Sequence, residues 1–199
     1  MKLFPYFCLI NLLNFFENLY ERYNGLTTKN FLIMNYNDIS ELKQNGFEGF
    51  KTIKSLMEND SCIPAEKGIY LIIYNKELMP SFLSIGSGGH FKGKNPNVPT
   101  ESLEKKWVNN TKVIYIGKAG NITGSATLRS RLRQYLKFGQ GENVGHWGGR
   151  FIWQLEESRE LLICWKVLPN KDPRKEEKKQ IHDFKQQHEK KLPFANLKQ

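Results

Sequence analysis

The side chains best suited to chemistry lie in four short, separated segments of the 199-residue chain. Together they supply two phenols, several guanidinium and ammonium groups, and carboxylates. Hydrolysis of a phosphodiester needs this mixture, because it requires an activated water, cations beside the phosphate oxygens and a group that can hold a metal. The segments are GIY at 68–70, YIGKAGN at 115–121, LRSRLRQY at 128–135 and EEKKQI at 176–181.

Helical spacing brings some of these groups onto shared faces. Arg131 and Tyr135 are four residues apart, so they point the same way from one helix. Glu177 is followed by Ile181 at i+4 and Phe184 at i+7, which places the acid on an apolar stripe. A carboxylate there would be costly without a metal or a cation beside it.

The neighbouring Glu176 could exchange roles with Glu177 if the helix register differed. It is rotated by about 100° around the same helix, so we expect it to be solvated. The spacing therefore favours Glu177 as the acid of the site.

Sequence patterns predict the elements that carry these groups. Runs of β-branched and aromatic residues predict neighbouring strands at 69–74 and 112–117 and a third at 160–168. Helices are predicted at 128–137 and after Pro173. The fold class is thus α+β, a central three-stranded, mainly antiparallel sheet flanked by helices.

Two further segments have weaker patterns. GRFIWQLEES at 149–158 is compatible with a second helix, and FEGFKTIKSLMEN at 47–59 with either a short helix or a strand.

A long segment at 75–111 separates the first two strands. It carries Pro80, Pro96, Pro99 and a glycine-rich cluster at 86–99, so we predict an insertion loop without a regular element. The cluster includes two lysines beside an aromatic residue and could follow a nucleic-acid backbone or be a plain surface excursion. These lysines are Lys92 and Lys94.

In their order and grouping, GIY, YIG, the arginine helix, the acidic helix and PFAN at 193–196 resemble the GIY-YIG nuclease superfamily. The resemblance spans about two-thirds of the chain, from residue 68 to 196. The spacing of the first two motifs departs from it, because Tyr70 and Tyr115 are 45 positions apart. The catalytic residues that the resemblance implies are Tyr70, Tyr115, Lys118, Arg131, Tyr135 and Glu177, with Asn196 closing the site.

The resemblance also implies a mechanism. Glu177 would hold one Mg²⁺ or Mn²⁺ ion, Arg131 the scissile phosphate, and Tyr115 the phosphate or water. Tyr70 would help to deprotonate the water. Because a free tyrosine has a pKa near 10, this needs Lys118, Arg131 or the metal to lower its pKa.

The implied function is that of a metal-dependent endonuclease acting on DNA in repair, restriction or mobile-element biology. DNA is expected over RNA, and a homodimer is one source of specificity. One alternative is a catalytically silent nucleic-acid-binding module of the same fold. Another is a basic membrane-surface protein that uses an apolar N-terminus.

The charge distribution agrees with a polyanionic partner. The chain carries 30 Lys and Arg against 20 Asp and Glu, a formal charge of +10. Residues 105–137 contain eight basic residues and no acid. Within them, Arg129, Arg133 and Lys137 form one helix edge that would either contact phosphates or be solvated. His146, in GHWGGR, would contact a base or phosphate, or be a structural histidine in a tight turn.

The N-terminus stands apart from this domain. The first sixteen residues are apolar but interrupted at Pro5, Asn11 and Asn14, which is too short and broken for a membrane span. No small-residue cleavage site follows, as a signal peptide would require. We predict an extension at 1–34, either a packed helix or a start assigned before Met34, and the nuclease-like domain at 35–199.

The cysteines bear on the compartment. They are three in number, far apart and without CxxC spacing, so neither a disulfide framework nor a zinc site is predicted, and a reducing cytoplasm fits best. They are Cys8, Cys62 and Cys164.

Overall fold

A four-stranded antiparallel sheet lies at the centre of the fold in a computed structural model that describes residues 34–197. Within these residues, five α-helices and three short 3₁₀ turns surround it. The strands are β1 (Glu48–Thr52), β2 (Gly68–Ile73), β3 (Val113–Ala119) and β4 (Leu162–Val167). The helices are α1 (Ile39–Gln44), α2 (Ile53–Glu58), α3 (Thr100–Lys106), α4 (Leu128–Gly139) and α5 (Pro173–Gln187).

The α+β class and the antiparallel sheet flanked by helices are confirmed, but the prediction of a three-stranded sheet is wrong. The strand order is β1-β4-β2-β3, so the sheet has a fourth strand on the far side of β4. Its pattern is hard to detect because the strand is half-exposed and irregular, with Gly49 at φ +94° against the Trp165 ring. The strand then turns directly into α2, where the Ser55 amide donates a hydrogen bond to the side chain of the N-cap residue Thr52.

The inner strand β2 divides the apolar core into two layers. Its residues are all buried, and alternate side chains point to opposite faces. Ile69 and Leu71 join a core with α1 and α5, whereas Tyr70 and Ile72 join a core with α2 and α4. The sheet thus separates the helix carrying Glu177 from the helix carrying the arginines.

Strand β3 is at the edge of the sheet and contains a bulge. Ile72 lies opposite Tyr115, but the next residue, Ile73, lies opposite Val113. The extra residue, Ile114, is unpaired in this register. Tyr70 and Ile72 point to one face of the sheet, and Tyr115 lies opposite Ile72, so Tyr115 points to the same face as Tyr70.

Helix α4 begins at a capping box in which the Thr127 and Ser130 side chains bond each other's backbone amides. The helix predicted at 128–137 is thus confirmed. The second helix considered for 149–158 is wrong: this segment forms 3₁₀ turns at Arg150–Gln154 and Ser158–Glu160. Leu155 between them is extended and bridges Phe82, which ends the helical geometry.

The insertion at 75–111 is more ordered than predicted. It contains α3, which follows directly after Pro99, and a 3₁₀ turn at Phe91–Gly93. The buried Gln154 side chain accepts a hydrogen bond from the Val98 amide (2.9 Å) and donates to the carbonyl groups of Val98 (2.9 Å) and Leu83 (3.0 Å). The insertion is therefore tied to the segment that follows α4.

A compact unit of the chain begins at Met34, whose carbonyl group accepts a hydrogen bond from Gln187. The predictions for the apolar N-terminus and for Cys8 lie outside the described residues. Between residues 34 and 197, no helix is long and apolar enough to cross a membrane. Cys62 and Cys164 are free thiols, the first exposed and the second buried.

Candidate active site

Residues of YIGKAGN, of the acidic helix and of the PFAN segment line a groove of about 500 Å³ beside β3. In the sheet formed by residues 34–197, β3 is an edge strand, and side chains from both faces of the sheet reach this edge. The groove, called the Tyr115 groove below, is lined by Tyr115, Lys118, Asn121, Trp147, Gly148, Arg174, Glu177, Lys178, Ile181, Asn196 and Leu197.

The two motif tyrosines form a pair, with ring centroids 5.9 Å apart. Tyr70 is fully buried, whereas Tyr115 is 7% exposed and reaches the groove. Gly117, opposite Tyr70 on β3, makes the pairing possible: a Cβ atom there would lie 2.5 Å from Tyr70 Cζ and 2.8 Å from Tyr115 Cε1. The glycine of YIG is thus required by close packing of the tyrosines.

Arg131 lies among the predicted catalytic groups. It is half-buried on α4, and its positive charge acts on Tyr70, Tyr115 and Glu177. The structure therefore brings together five of the six predicted catalytic side chains: Tyr70, Tyr115, Lys118, Arg131 and Glu177.

Both motif tyrosines are protonated at neutral pH. Burial raises the pKa of Tyr70 above 10, although the charge of Arg131 opposes the shift. Burial raises the pKa of Tyr115 still further, and the neighbouring Tyr70 adds to the effect. The lower pKa that a basic Tyr70 needs is not produced by Lys118 and Arg131, because desolvation of the buried phenol outweighs their charge.

Glu177 is the acid of the groove. It is half-buried on α5, and this burial raises its pKa, while Lys118, Arg131 and Arg174 oppose the shift in that order. Glu176 faces elsewhere and is half-buried, not solvated as expected, because its carboxylate accepts a hydrogen bond from Gln180 at 3.0 Å. The two glutamates therefore have separate surroundings.

A metal ion at this position would have one protein carboxylate. In the described part of the chain, no group of three or more His, Cys, Asp or Glu side chains could enclose an ion. Mg²⁺ commonly keeps several waters and uses one or two carboxylates together with substrate phosphate oxygens. Glu177, half-buried at the wall of the groove, fits a site of that kind.

The predicted basic edge of α4 does not line the groove. Arg129 donates hydrogen bonds to the carbonyl groups of Ile63 (2.7 Å) and Ser61 (2.9 Å). Arg133 forms a two-point ion pair with Asp60 at 2.6 and 2.8 Å. These arginines hold the loop before β2.

The remaining predicted lysines also lie apart from the groove. Lys137 pairs with Glu142 at 3.4 Å, beyond the end of α4. Lys92 and Lys94 are exposed on the insertion, where the Lys92 ammonium group lies 5.4 Å from the Phe91 ring. None of the three is among the groove-lining residues.

Tyr135 and His146 lie behind the groove and not on its surface. Both are fully buried, with ring centroids 4.7 Å apart, and Tyr135 stacks on Tyr115 at 6.5 Å. In the described residues, neither the Tyr135 hydroxyl group nor the His146 ring nitrogens have a hydrogen-bond partner. Burial holds the pKa of His146 well below 6.5, with the Arg131 charge adding to the shift. In this buried position His146 cannot contact nucleic acid, and it is a structural histidine instead.

Asn196 has a structural role at the groove wall. Its side chain accepts from the Ile116 amide (3.0 Å) and donates to the Ile116 carbonyl (2.8 Å), and Ala195 bonds Ile114 (2.9 Å). These bonds cover the free edge of β3 and fix one end of the groove.

Sequence reasoning missed several groove residues. Arg174 lies three residues before Glu177 on α5, so helical spacing could have identified it. Lys178 directly follows Glu177, about 100° around the helix, so helical spacing does not point to it. Trp147 and Gly148 follow His146 in an irregular segment, where no periodicity shows which side chain faces outward. Asn121 is the last residue of the YIGKAGN motif, and its position there predicts no specific role.

Comparison of the chain with protein-family models, with curated proteins and with solved structures gives no match.

Proposed function

We propose that this protein is a metal-dependent endonuclease of the GIY-YIG type, which hydrolyses phosphodiester bonds in DNA. One observation carries the proposal: Tyr115 and Lys118 from one motif and Glu177 from a second motif line the same groove. Arg131, from a third motif, lies close enough for its charge to act on both Tyr115 and Glu177. Packing alone gives no reason for a carboxylate and several cations to meet at the half-buried edge of a sheet.

In this proposal the cations bind the substrate phosphate. Lys118 and Arg174 line the groove and Arg131 lies beside it. Positive groups placed in advance around a phosphate stabilise the charge that builds up on its oxygens during hydrolysis. The net charge of +10 favours approach of a nucleic acid to this site.

The tyrosines act as positioning groups in the protonated form. Tyr115 reaches the groove, so its hydroxyl group can orient a phosphate oxygen or the attacking water. Tyr70 is fully buried and packs against Tyr115, with ring centroids 5.9 Å apart. Burial raises the pKa of both phenols in the metal-free protein, so a phenolate base at neutral pH would require the bound metal to lower one of these pKa values.

Glu177 would hold Mg²⁺ or Mn²⁺. A bound divalent ion lowers the pKa of a coordinated water and offsets the charge of the leaving oxygen. The cations that oppose the raised pKa of Glu177 help to keep its carboxylate ionised and able to bind a metal.

The test is cleavage of supercoiled plasmid DNA with Mg²⁺, with Mn²⁺ and with EDTA. We expect nicking that requires a divalent metal. Arg131→Ala and Glu177→Ala should each lower the rate about 100-fold or more, while circular dichroism and Tm remain near those of the parent. Glu176→Ala is the matched control, because Glu176 is the adjacent acid on the same helix but faces Gln180. Full cleavage by both Arg131→Ala and Glu177→Ala would refute the proposed function.

The lone carboxylate of the groove favours one alternative, a nucleic-acid-binding module without turnover. A groove of mainly cationic and aromatic side chains is sufficient for binding. If DNA binds with equal affinity in Mg²⁺ and in EDTA, and no substrate is cleaved, this alternative replaces the nuclease.

A further inference from the structure

The Tyr115 groove is more apolar than a phosphate site requires. Beside its cations it includes Trp147, Ile181 and Leu197. A phosphate group needs positive charge and hydrogen-bond donors, and apolar side chains add nothing to its binding. The apolar part of the groove therefore fits another part of a nucleotide, and the planar, apolar part is the base.

Trp147 is held at the groove by its neighbours in the chain. The preceding His146 is fully buried against the Tyr135 ring, 4.7 Å away. The following Gly148 lies against Tyr115, where an added Cβ atom would be 3.1 Å from the tyrosine hydroxyl oxygen. The segment therefore packs directly on the proposed catalytic tyrosine, and Trp147 is placed beside it.

A cation supports the ring of Trp147 from one side. The Arg150 guanidinium carbon lies 4.6 Å from the centroid of the Trp147 ring and 4.6 Å from that of Phe151. Arg150 also donates a hydrogen bond to the Pro96 carbonyl at 3.1 Å, which anchors it to the insertion. Such cation–π contacts are attractive and stabilise the ring where it lies. Trp147 remains half-buried, with surface left in the groove.

The other tryptophans show how unusual this placement is. All four tryptophans of the chain lie within residues 34–197. Trp153 is 1% and Trp165 3% exposed, and both belong to the core. Trp107 packs edge-on against Tyr74 and Phe194. Trp147 alone among them lines the Tyr115 groove.

We propose that Trp147 stacks on the nucleobase next to the scissile phosphate, so that the preferred substrate offers a base outside the double-helical stack. This inference rests on the proposed nuclease function. In an intact duplex both faces of each base are covered by neighbouring bases, and an aromatic side chain can stack only on a base that is unpaired or turned out of the helix. Single-stranded, gapped or flapped DNA meets this requirement without the cost of extruding a base.

Cleavage of matched substrates tests the inference. We compare kcat/KM on a fully paired oligonucleotide duplex and on the same duplex with a gap, for the parent, Trp147→Ala and Trp147→Phe. The parent should cleave the gapped substrate at least about tenfold better. Trp147→Ala should lose about 5- to 150-fold on the gapped substrate, the value of one base stack, and much less on the duplex. Trp147→Phe should retain most of the activity, because it keeps an aromatic face. Leu78→Ala, which removes an 81% exposed apolar side chain that does not line the groove, is the surface control.

Fluorescence provides a readout that is independent of turnover. A short oligothymidylate added to the parent protein in EDTA should change tryptophan fluorescence, and Trp147→Phe should lose this change while labelled oligonucleotide still binds. Equal losses by Trp147→Ala on paired and gapped substrates would overturn the inference and leave the nuclease proposal intact. Absence of cleavage on every substrate, with the Trp147-dependent fluorescence change present, would overturn the nuclease proposal and leave base stacking.

Discussion

Helix α4 carries arginines on two faces, and the faces differ in what they contact. Arg129 and Arg133 lie on the more basic face, yet their guanidinium groups bind backbone carbonyls and Asp60 in the loop before β2. Arg131 lies between them in sequence and on another face, where its charge acts on the two motif tyrosines and Glu177. A row of like charges at helical spacing therefore stabilises the fold here, whereas the single arginine beside buried phenols belongs to the candidate site.

The largest contrast between the two faces should be in cleavage. Lysine keeps the charge of arginine but not its planar fork of donors. We therefore expect Arg131→Lys to lower kcat about 100-fold. Arg129→Lys should leave cleavage per folded molecule unchanged, although it loses two hydrogen bonds to carbonyl groups. Steady-state kinetics with the amount of folded protein measured by circular dichroism make the comparison.

The prediction has a clear counter-result. If Arg129→Lys reduced cleavage as strongly as Arg131→Lys at equal folded concentration, the two faces would not differ in function. The basic edge would then belong to the nucleic-acid interface after all.

Tyr135 shares the face of Arg131 but lies behind the Tyr115 groove. Its ring is fully buried between Tyr115, His146 and Trp153, and its hydroxyl group has no hydrogen-bond partner in the described residues. A buried, unpaired hydroxyl group is costly. We expect Tyr135→Phe to leave the free energy of unfolding unchanged or higher and to retain cleavage. Tyr135→Ala should cost about 3–5 kcal/mol through the cavity that it leaves.

Chemical denaturation and plasmid nicking of the two variants separate a packing role from a catalytic one. A loss of cleavage in a stable Tyr135→Phe protein would give the hydroxyl group a direct part in the reaction. That result would extend the functional face of α4 by one turn.

The sequence allowed prediction of those parts of the site that follow from local periodicity. Runs of β-branched and aromatic residues predicted the strands that carry Tyr70 and Tyr115, and helical spacing predicted the helix that carries Arg131. Both depend on residues within a few positions of each other.

The features that could not be predicted depend on contacts between distant segments. The carbonyl groups that bind Arg129 belong to residues 66 and 68 positions away, and Asp60 is 73 positions from Arg133. Nothing in the α4 sequence shows that these partners exist. Strand β1 is hidden for a similar reason, because its pairing with β4 spans most of the domain and its own residues are irregular.

The smallest expected effect concerns the ion pair on the basic face. Arg133 and Asp60 bond at two points, but the Arg133 side chain is 52% exposed, and water and salt screen such pairs. Arg133→Ala should therefore lower Tm only slightly at neutral pH and should not alter cleavage.

The hydrogen bond from Arg133 is the largest of the effects that hold the pKa of Asp60 below its usual 3.8. Asp60 therefore binds a proton less readily in the folded state than in the unfolded state. The stabilisation of the fold by ionised Asp60 is complete above about pH 3.8 and is lost as the pH falls below that value. The difference in Tm between the parent and Arg133→Ala should thus narrow as the pH is lowered from 7 towards 3. A constant difference over that range would show that Arg133 stabilises the loop by packing and not through its charge.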